Sequence, residues 1–296
     1  MKLKIYLTIS VCAMLYFLAA RARSQDSGFH PEQQKTIIQR SSDYTIRLKA
    51  SGTALRVSID KRGMPVGNFF LPGEMAQVDK IEFVPNNHAV LLGHANGDVN
   101  EVIVVDLNSG TMIDRFHCYF PALSPDKRFL AFAKFFPPHF VQGVSFEYMV
   151  YDFEKSPRMN RPSNVAPDDV RNVGLVIYPK GVTNLPDDTV GKPESAIHML
   201  ESGEFFWSLN SDRLVFADGF QSRVSLIIAR ISGPGPDITI KETELRKSDV
   251  CLSDRSLEAC SFAVASILFS DEKHLKLTLR SYNHAVPIKN QIDLEL

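Results

Sequence analysis

The apolar positions of this chain form short runs that polar turns separate. Residues 121–135, PALSPDKRFLAFAKF, place a turn of Ser, Pro, Asp, Lys and Arg before a run that is apolar at nearly every position. Residues 81–94, 206–218 and 265–277 follow the same order of apolar strand, polar turn and apolar strand. Asn, Asp and Ser side chains bond nearby backbone groups in turns, and Pro presets one backbone dihedral angle. The pattern therefore predicts repeated β-hairpins.

A second set of positions recurs at constant spacing. Asp60, Asp106 and Asp152 each follow an apolar strand and precede a turn, and successive members are 46 positions apart. Four-stranded units of about 40 to 50 residues are typical of β-propeller blades. The recurrence favours a repeat architecture.

Several predicted strands are apolar at every position, namely residues 102–105, 148–151 and 226–229. A strand with one face in water alternates between apolar and polar residues, so a continuous apolar run needs cover on both faces. Blades stacked around an axis provide that cover. We predict an all-β protein, a β-propeller of four-stranded blades. The alternative is a β-sandwich, which also suits short strands with turns between them.

The domain organisation follows from these segments. We expect a single propeller domain over residues 41–296, preceded by a short linker over residues 23–40. Residues 155–194 are rich in Pro, Asn and Asp and predict an irregular insertion between blades. About five blades are expected, over residues 42–72, 78–116, 119–179, 204–245 and 261–296.

The phrase LSPDKRFLAF, residues 123–132, resembles the repeat of TolB-like propellers, which are related in style to WD repeats. Residues 206–218 form a weaker copy, with Asn210, Ser211 and Asp212 in place of the Ser-Pro-Asp turn. The resemblance implies a propeller fold. It implies no activity, because propellers host many unrelated functions.

The N-terminus has the order of a secretory signal peptide over residues 1–22: Lys2 and Lys4, an apolar stretch, and then Ala20, Arg21 and Ala22. We therefore expect export to the periplasm or the extracellular space. The alternative is an uncleaved membrane anchor, but the apolar stretch is shorter than the ~20 residues of a usual transmembrane helix. A membrane contact is expected only through this segment.

Charge gives no indication of a nucleic-acid partner. Without residues 1–22 the chain has 30 basic and 34 acidic residues, a net charge of −4. Nucleic-acid-binding proteins present a basic patch, and this balance offers none.

Three cysteines remain after that cleavage: Cys118, Cys251 and Cys260. In an oxidising compartment Cys251 and Cys260 could close a short disulfide loop, which we predict. Metal binding by this pair would need more ligands than the stretch CLSDRSLEAC offers. Cys118 is expected to be a buried, small apolar residue.

The residues indicate no catalytic, cofactor or metal site. A G-x-S-x-G nucleophile elbow and an H-E-x-x-H zinc motif are both missing from the sequence. His88 and His94 flank one strand, where surface loop positions are the expected role. Cys118 follows His117 directly, but neighbours on a strand point to opposite faces. We interpret Asp126, Asp212 and Asp271 as turn formers.

An aromatic cluster at the end of one predicted strand is the candidate contact surface. It contains Phe135, Phe136, His139 and Phe140, beside Pro137 and Pro138. Prolines favour a loop there, and an exposed apolar patch is a candidate partner site.

These observations favour a non-catalytic exported or envelope-facing propeller that binds a protein or peptide partner. One alternative is a propeller enzyme, a metal-assisted hydrolase or lyase whose site lies at the central channel. The other is a structural component of an envelope assembly. The residues identify no cofactor.

Overall fold

The structure is a computed structural model, and it describes residues 35–52, 54–73, 75, 77–96, 99–136, 145–154, 174–177, 198–220, 223–232, 237–252, 260–282 and 286–296. Over these residues the protein is all-β, with antiparallel sheets and one short helical turn. The predicted all-β class is therefore confirmed. The predicted signal peptide, residues 1–22, lies outside the described residues, as does all of the predicted insertion except Gly174–Ile177.

The chain divides into two compact units, which comprise Met1–Phe83 with Asn87–His117, and Val84–Asn86 with Cys118–Leu296. The strands that begin in the first unit are β1 Ile37–Arg40, β2 Tyr44–Ser51, β3 Ala54–Lys61, β4 Met64–Phe70, β5 Gln77–Val84, β6 His88–Asn96, β7 Val99–Asp106 and β8 Thr111–Leu123. Strand β8 runs through the boundary into the second unit. The expectation of a single domain over residues 41–296 stays a prediction.

The first unit has one sheet of order β1-β2-β3-β4 and a second in which β5, β6, β7 and β8 are neighbours. A two-residue turn joins β3 to β4, and both of its residues, Arg62 and Gly63, have positive φ (51° and 83°). Such turns match the right-handed twist of the strands that they connect. The turn thus sets the antiparallel register in which Lys61 lies opposite Met64.

One core joins the two sheets of the first unit. Ile46, Val57 and Ile59 of the first sheet pack with Leu91 and Ile103 of the second. The backbones also approach closely, because a Cβ atom at Gly67 would lie 2.7 Å from the carbonyl oxygen of Gly110. Any side chain at Gly67 would therefore separate them.

The second unit contains the remaining strands. They are β9 Phe129–Phe136, β10 Ser145–Asp152, β11 Gly174–Ile177, β12 His198–Leu200, β13 Phe206–Trp207, β14 Arg213–Phe220, β15 Arg223–Ser232, β16 Asp237–Leu245, β17 Phe262–Phe269, β18 His274–Ser281 and β19 Gln291–Glu295. The helical turn α1, Lys247–Val250, precedes β17.

Three sheets form in this unit. The first, β8-β9-β10-β11, is part of a seven-stranded sheet of order β11-β10-β9-β8-β7-β6-β5 that is continuous through β8. The second has the order β12-β14-β15-β16, with β13 also paired to β14. The third has the order β17-β18-β19.

The middle sheet of the second unit is covered on both faces. Leu226 and Ile228 pack toward the β17-β18-β19 sheet, whereas Ile227 and Ala229 pack toward the β8-β9-β10-β11 sheet. This arrangement explains why residues 226–229 are apolar without alternation. A two-sheet sandwich covers each sheet on one face only, so the second unit does not have that layering.

The turns at the start of β9 and β14 have the same internal hydrogen bonds. Ser124 Oγ accepts a hydrogen bond from the Phe129 amide at 2.9 Å, and Ser208 Oγ accepts one from the Arg213 amide at 3.0 Å. Each serine hydroxyl also donates to an aspartate of its own turn. The two sequence stretches compared above therefore fold as equivalent turns.

Equivalent turns of successive sheets are hydrogen-bonded to each other. The Asp126 amide donates to Ser211 Oγ at 3.0 Å, and Asn210 Nδ2 donates to Glu272 Oε1 at 3.0 Å. Since Glu272 belongs to the turn between β17 and β18, the three sheets of the second unit present their turns on one side.

In the described part of the chain, no helix has the length and hydropathy of a membrane span.

Candidate functional site

The aspartates of the repeats serve as turn formers. Asp106 and Asp152 each accept a hydrogen bond from the amide two residues further on, at 2.9 Å in both cases. Asp126 and Asp271 do the same at 3.0 and 2.7 Å. The hydrogen bonds from Asn108 and Ser109 lower the pKa of Asp106 although burial opposes them. Asp152 additionally accepts hydrogen bonds from Arg128, at the start of β9. Asp60 differs from the others, because its carboxylate pairs with Arg47 of the neighbouring strand β2.

The predicted aromatic contact surface falls at the end of β9. The backbones of Phe135 and Phe136 pair with Phe146 and Ser145 of β10. His139 and Phe140 lie outside the described residues. The contact surface stays a prediction.

The predicted disulfide is present between Cys251 and Cys260, whose Cα atoms are 6.5 Å apart. It joins the segment after α1 to the start of β17. Cys118 is buried in β8, and burial raises the pKa of its thiol well above the usual range. A reactive thiolate at this position is therefore disfavoured.

His88 and His94 both lie on strand β6, so the expectation that they occupy loop positions is wrong. His94 Nε2 lies 3.1 Å from Asp79 Oδ2, and His88 lies opposite Asp106 in the β6-β7 pair. Among the described residues, no group of three or more His, Cys, Asp or Glu side chains is arranged to hold a metal ion.

The second unit contains a cluster of two carboxyl groups and two phenols, which we call the acid–tyrosine site. Its members are Tyr148 on β10, Glu201 directly after β12, Asp218 on β14 and Tyr282 directly after β18. Each of the unit's three sheets supplies at least one member. The site is therefore a product of the packing of the sheets.

The buried half of the site is a hydrogen bond from the Tyr148 hydroxyl to Asp218 Oδ1. Tyr148 is fully buried, and Asp218 is 2% exposed. Burial raises the pKa of Tyr148 well above its usual value, and the neighbouring Asp218 carboxylate raises it further. Tyr148 consequently remains a hydrogen-bond donor.

The accessible half of the site is formed by Glu201 and Tyr282. The Tyr282 hydroxyl donates to Glu201 Oε2 at 3.4 Å, and Tyr282 is 58% exposed. Burial raises the pKa of Glu201, and the nearby Asp218 carboxylate adds to this shift while the Tyr282 hydrogen bond opposes it. Burial and Glu201 also raise the pKa of Tyr282, against the effect of Arg280. Asp218 points to the face of β14 that packs on Tyr148, whereas Glu201 lies over Gly219 on the opposite face, next to the exposed Tyr282. Of the two acids, Glu201 is the one close to solvent.

Gly219 leaves the space in which the Glu201 side chain lies. A Cβ atom at Gly219 would be 2.5 Å from Glu201 Oε1. The Glu201 amide also donates to the Ala217 carbonyl at 2.9 Å, which continues the β12-β14 pairing by one residue. Both contacts hold the carboxyl group over β14.

This arrangement suits two kinds of chemistry. A carboxyl group with a raised pKa keeps its proton to a higher pH than an ordinary carboxyl group, and it can act as a general acid. An ionised Glu201 would also attract a cationic group, more strongly where burial reduces solvent screening. The Tyr282 ring next to Glu201 offers a face on which a cation can rest.

Sequence reasoning missed the acid–tyrosine site. Asp218 ends the apolar run Leu214, Val215, Phe216, Ala217, and a charged residue in such a run was its only sequence signal. Glu201 and Tyr282 stand in short polar stretches that resemble ordinary loops. Their proximity depends on long-range packing.

A different buried acid lies in the first unit. Glu101 on β7 is fully buried, and Arg115 Nε donates to its Oε1. His117 Nε2 lies 3.9 Å from the same oxygen. No described group donates a hydrogen bond to Glu101 Oε2. A buried ion pair of this kind holds β7 to β8.

No protein-family model and no curated protein sequence matches this chain. Among solved structures, it is similar to prolyl oligopeptidase B from Galerina marginata, with a TM-score of 0.43, 10% identity, and coverage of 94% of this chain and 41% of that one. It is also similar to the tricorn protease, with a TM-score of 0.42, 12% identity, and coverage of 83% and 23%. A eukaryotic initiation factor gives a TM-score of 0.42 at 10% identity, covering 88% and 55%.

The chain thus spans roughly a quarter to just over half of the length of these three proteins. At such TM-scores and identities, the similarity carries no argument about activity or ligand.

Proposed function

We propose that this protein is an exported, β-propeller-like protein that binds a protein or peptide partner without catalysis. The propeller proposal is supported by the hydrogen bonds that connect equivalent turns of successive sheets, and by the cover on both faces of the middle sheet. About five blades would follow from the segments at residues 42–72, 78–116, 119–179, 204–245 and 261–296.

Export is supported by two observations. The disulfide between Cys251 and Cys260 fits an oxidising compartment, because thiols are kept reduced in the cytosol. The residue order at positions 1–22 is that of a signal peptide. N-terminal sequencing of the protein recovered from the exported fraction tests the cleavage.

The acid–tyrosine site is the proposed recognition site, and a basic side chain of the partner is its proposed ligand. The observation that carries this proposal is the part-buried Glu201 carboxyl, which lies over Gly219 beside the exposed Tyr282 and is influenced by the charge of Asp218. A Lys or Arg side chain placed next to Glu201 would lower the electrostatic cost of keeping it ionised. None of the described Lys or Arg side chains forms an ion pair with Glu201.

Peptide binding tests this function. We expect peptides with an exposed Lys or Arg to bind the purified protein in a fluorescence-anisotropy assay, and Glu201→Gln to weaken that binding at least tenfold. Glu244→Gln, on the exposed face of β16, is the matched control and should leave the affinity unchanged. Affinities that are equal in wild type and Glu201→Gln would contradict the proposed site.

Two further variants separate charge from shape. Gly219→Ala displaces the Glu201 side chain without a change of charge, so it should also weaken binding. Gly73→Ala meets no atom within 4 Å and serves as its control. Arg280→Gln removes a cation that interacts with Tyr282, and it should strengthen the binding of basic peptides.

An enzyme remains the second candidate, because a carboxyl group with a raised pKa is a possible general acid. This candidate predicts turnover in a hydrolase and lyase screen, and loss of that turnover in Glu201→Gln. Such a result would contradict the proposed binding function and support the enzyme. Metal analysis of the purified protein tests the metal-assisted version separately.

A further inference from the structure

Over the residues that the structure describes, the last sheet of the second unit has an open outer edge. Strand β19 ends the order β17-β18-β19, whereas the neighbouring sheet continues through β12, β14, β15 and β16. Among the described residues, no strand pairs with the outer side of β19. In its described part, the sheet thus has one strand fewer than the four that the repeat predicts.

The backbone of β19 directs alternate groups outward. The Leu296 amide donates to the Lys273 carbonyl at 2.7 Å, and the Asn290 carbonyl accepts from the Leu279 amide at 2.9 Å. In an antiparallel pair the groups that face the partner strand alternate with groups that face away. The amide and carbonyl groups of Gln291, Asp293 and Glu295 therefore point away from β18 and can pair with another strand.

The side chains of β19 form two rows. Ile292, Leu294 and Leu296 are only partly buried and pack against the core of the unit. Gln291, Asp293 and Glu295 are exposed on the opposite face. An added strand would lie beside β19, with its own side chains next to the apolar row on one face of the sheet and next to the acidic row on the other face.

The charges along this edge specify the partner. On the inner side of β19, Asp293 lies opposite Lys276 and Glu295 lies opposite His274. Opposite charges on adjacent strands stabilise a sheet, whereas like charges destabilise it. The strand on the outer side should accordingly place basic residues beside Asp293 and Glu295.

We propose that the outer edge of β19 binds an extended segment of a partner protein by strand addition, and that basic and apolar residues alternate in this segment. Its apolar residues lie beside Ile292 and Leu294, and its Lys or Arg residues lie beside Asp293 and Glu295. Main-chain hydrogen bonds supply affinity in strand addition, and alternate side chains supply specificity. This surface is separate from the acid–tyrosine site.

A peptide pair tests the proposal on the unaltered protein. The capped peptide Thr-Lys-Val-Arg-Val-Thr should bind and protect the amides of Asp293 and Glu295 from hydrogen exchange. The peptide Thr-Glu-Val-Glu-Val-Thr should bind at least tenfold more weakly. N-methylation of those basic-peptide amides that pair with β19 should abolish binding, since it removes hydrogen bonds and keeps every charge.

Protein variants provide the complementary test. Asp293→Lys combined with Glu295→Lys should reverse the preference, so that the acidic peptide binds better. Gln291→Pro removes one outward amide and leaves both acids in place, and Pro is tolerated at the first residue of an edge strand. This variant should bind the basic peptide at least threefold more weakly than the wild type does. Glu201→Gln should leave the exchange protection of the Asp293 and Glu295 amides by the basic peptide unchanged, even where it weakens binding of the same peptide at the acid–tyrosine site. This difference separates the two surfaces.

Three results would overturn the proposal. The first is equal binding of the two peptides, and the second is unchanged exchange of the Asp293 and Glu295 amides at saturating peptide. The third is protection of these amides by self-association, seen as a rise with protein concentration in the absence of peptide. That result would assign the edge to a second copy of this chain.

Discussion

The hydroxyl group of Tyr148 donates a hydrogen bond to the Asp218 carboxylate across 70 positions of sequence, and both side chains are buried. The bond connects β10 of one sheet to β14 of the next. It therefore ties two sheets of the second unit together at a point where water cannot replace either partner.

Tyr148→Phe should destabilise the protein by about 1 to 3 kcal/mol, because the shape is kept while a buried carboxylate loses its donor. Urea denaturation followed by circular dichroism measures this change. Tyr44→Phe is the matched control: Tyr44 donates to the exposed Asn108, which water can reach, so its loss should cost less than Tyr148→Phe. Equal costs for the two variants would contradict the role of burial.

Arg115→Met, in the first unit, should lower the free energy of unfolding by about 3 to 5 kcal/mol, because it leaves the fully buried Glu101 without its charged partner. This loss is larger than the one expected for Tyr148→Phe. The double variant Glu101→Gln with Arg115→Met removes both charges and should recover much of that loss. Thermal and urea denaturation of the single and double variants measures the coupling. Additive losses would show that the ion pair is energetically unimportant.

Reduction of the disulfide between Cys251 and Cys260 should lower the free energy of unfolding by about 2.7 kcal/mol, the loop-entropy value for the short loop that it closes. Urea midpoints with and without dithiothreitol test this value. The double variant Cys251→Ser with Cys260→Ser should lose sensitivity to the reductant.

Cys118 should resist alkylation in the folded, reduced protein because it is buried. Labelling of Cys118 without unfolding would contradict that burial.

Glu201→Gln should change the pH dependence of stability. Burial raises the pKa of Glu201 above its ordinary value of 4.5, so the folded state holds this proton more tightly than the unfolded state does. The contribution of Glu201 is therefore complete below the unfolded pKa, and it is lost as the pH rises through the folded pKa. Relative to wild type, the Gln variant should become more stable as the pH rises from about 4.5. A difference that stays constant with pH would contradict the raised pKa.

The same carboxyl group should make peptide binding depend on pH. Below its raised pKa, Glu201 is protonated and attracts a basic side chain less strongly. The affinity for basic peptides should fall as the pH is lowered through the pKa of Glu201. The affinity of the Glu201→Gln variant should depend less on pH. Anisotropy titrations at several pH values measure both. An identical pH profile in the two proteins would exclude Glu201 as the titrating group.

Local patterns in the sequence were sufficient for the all-β class and for several of the turns. The stretch around Ser124 and Asp126 predicted a hairpin turn, and its hydrogen bonds depend on residues at most five positions apart. The continuous apolar run at residues 226–229 predicted cover on both faces, and it has that cover. Proximity of Cys251 and Cys260 in the chain similarly made their disulfide predictable.

The acid–tyrosine site was beyond the reach of such patterns. Tyr148, Glu201, Asp218 and Tyr282 come from three sheets, and each stands in a stretch that has an ordinary local explanation. The open edge of β19 likewise depends on strand order, since its five residues alternate like those of any half-exposed strand.

By itself, the sequence determined the all-β class, the turn positions, the disulfide and the need for cover on both faces of the central strands, because these depend on short-range periodicity and turn chemistry. Only the tertiary structure decided which sheets are neighbours, which side chains surround Glu201 and Asp218, and where a sheet ends. Those features depend on contacts between residues far apart in the chain, and their chemistry arises from burial that no single stretch of sequence contains.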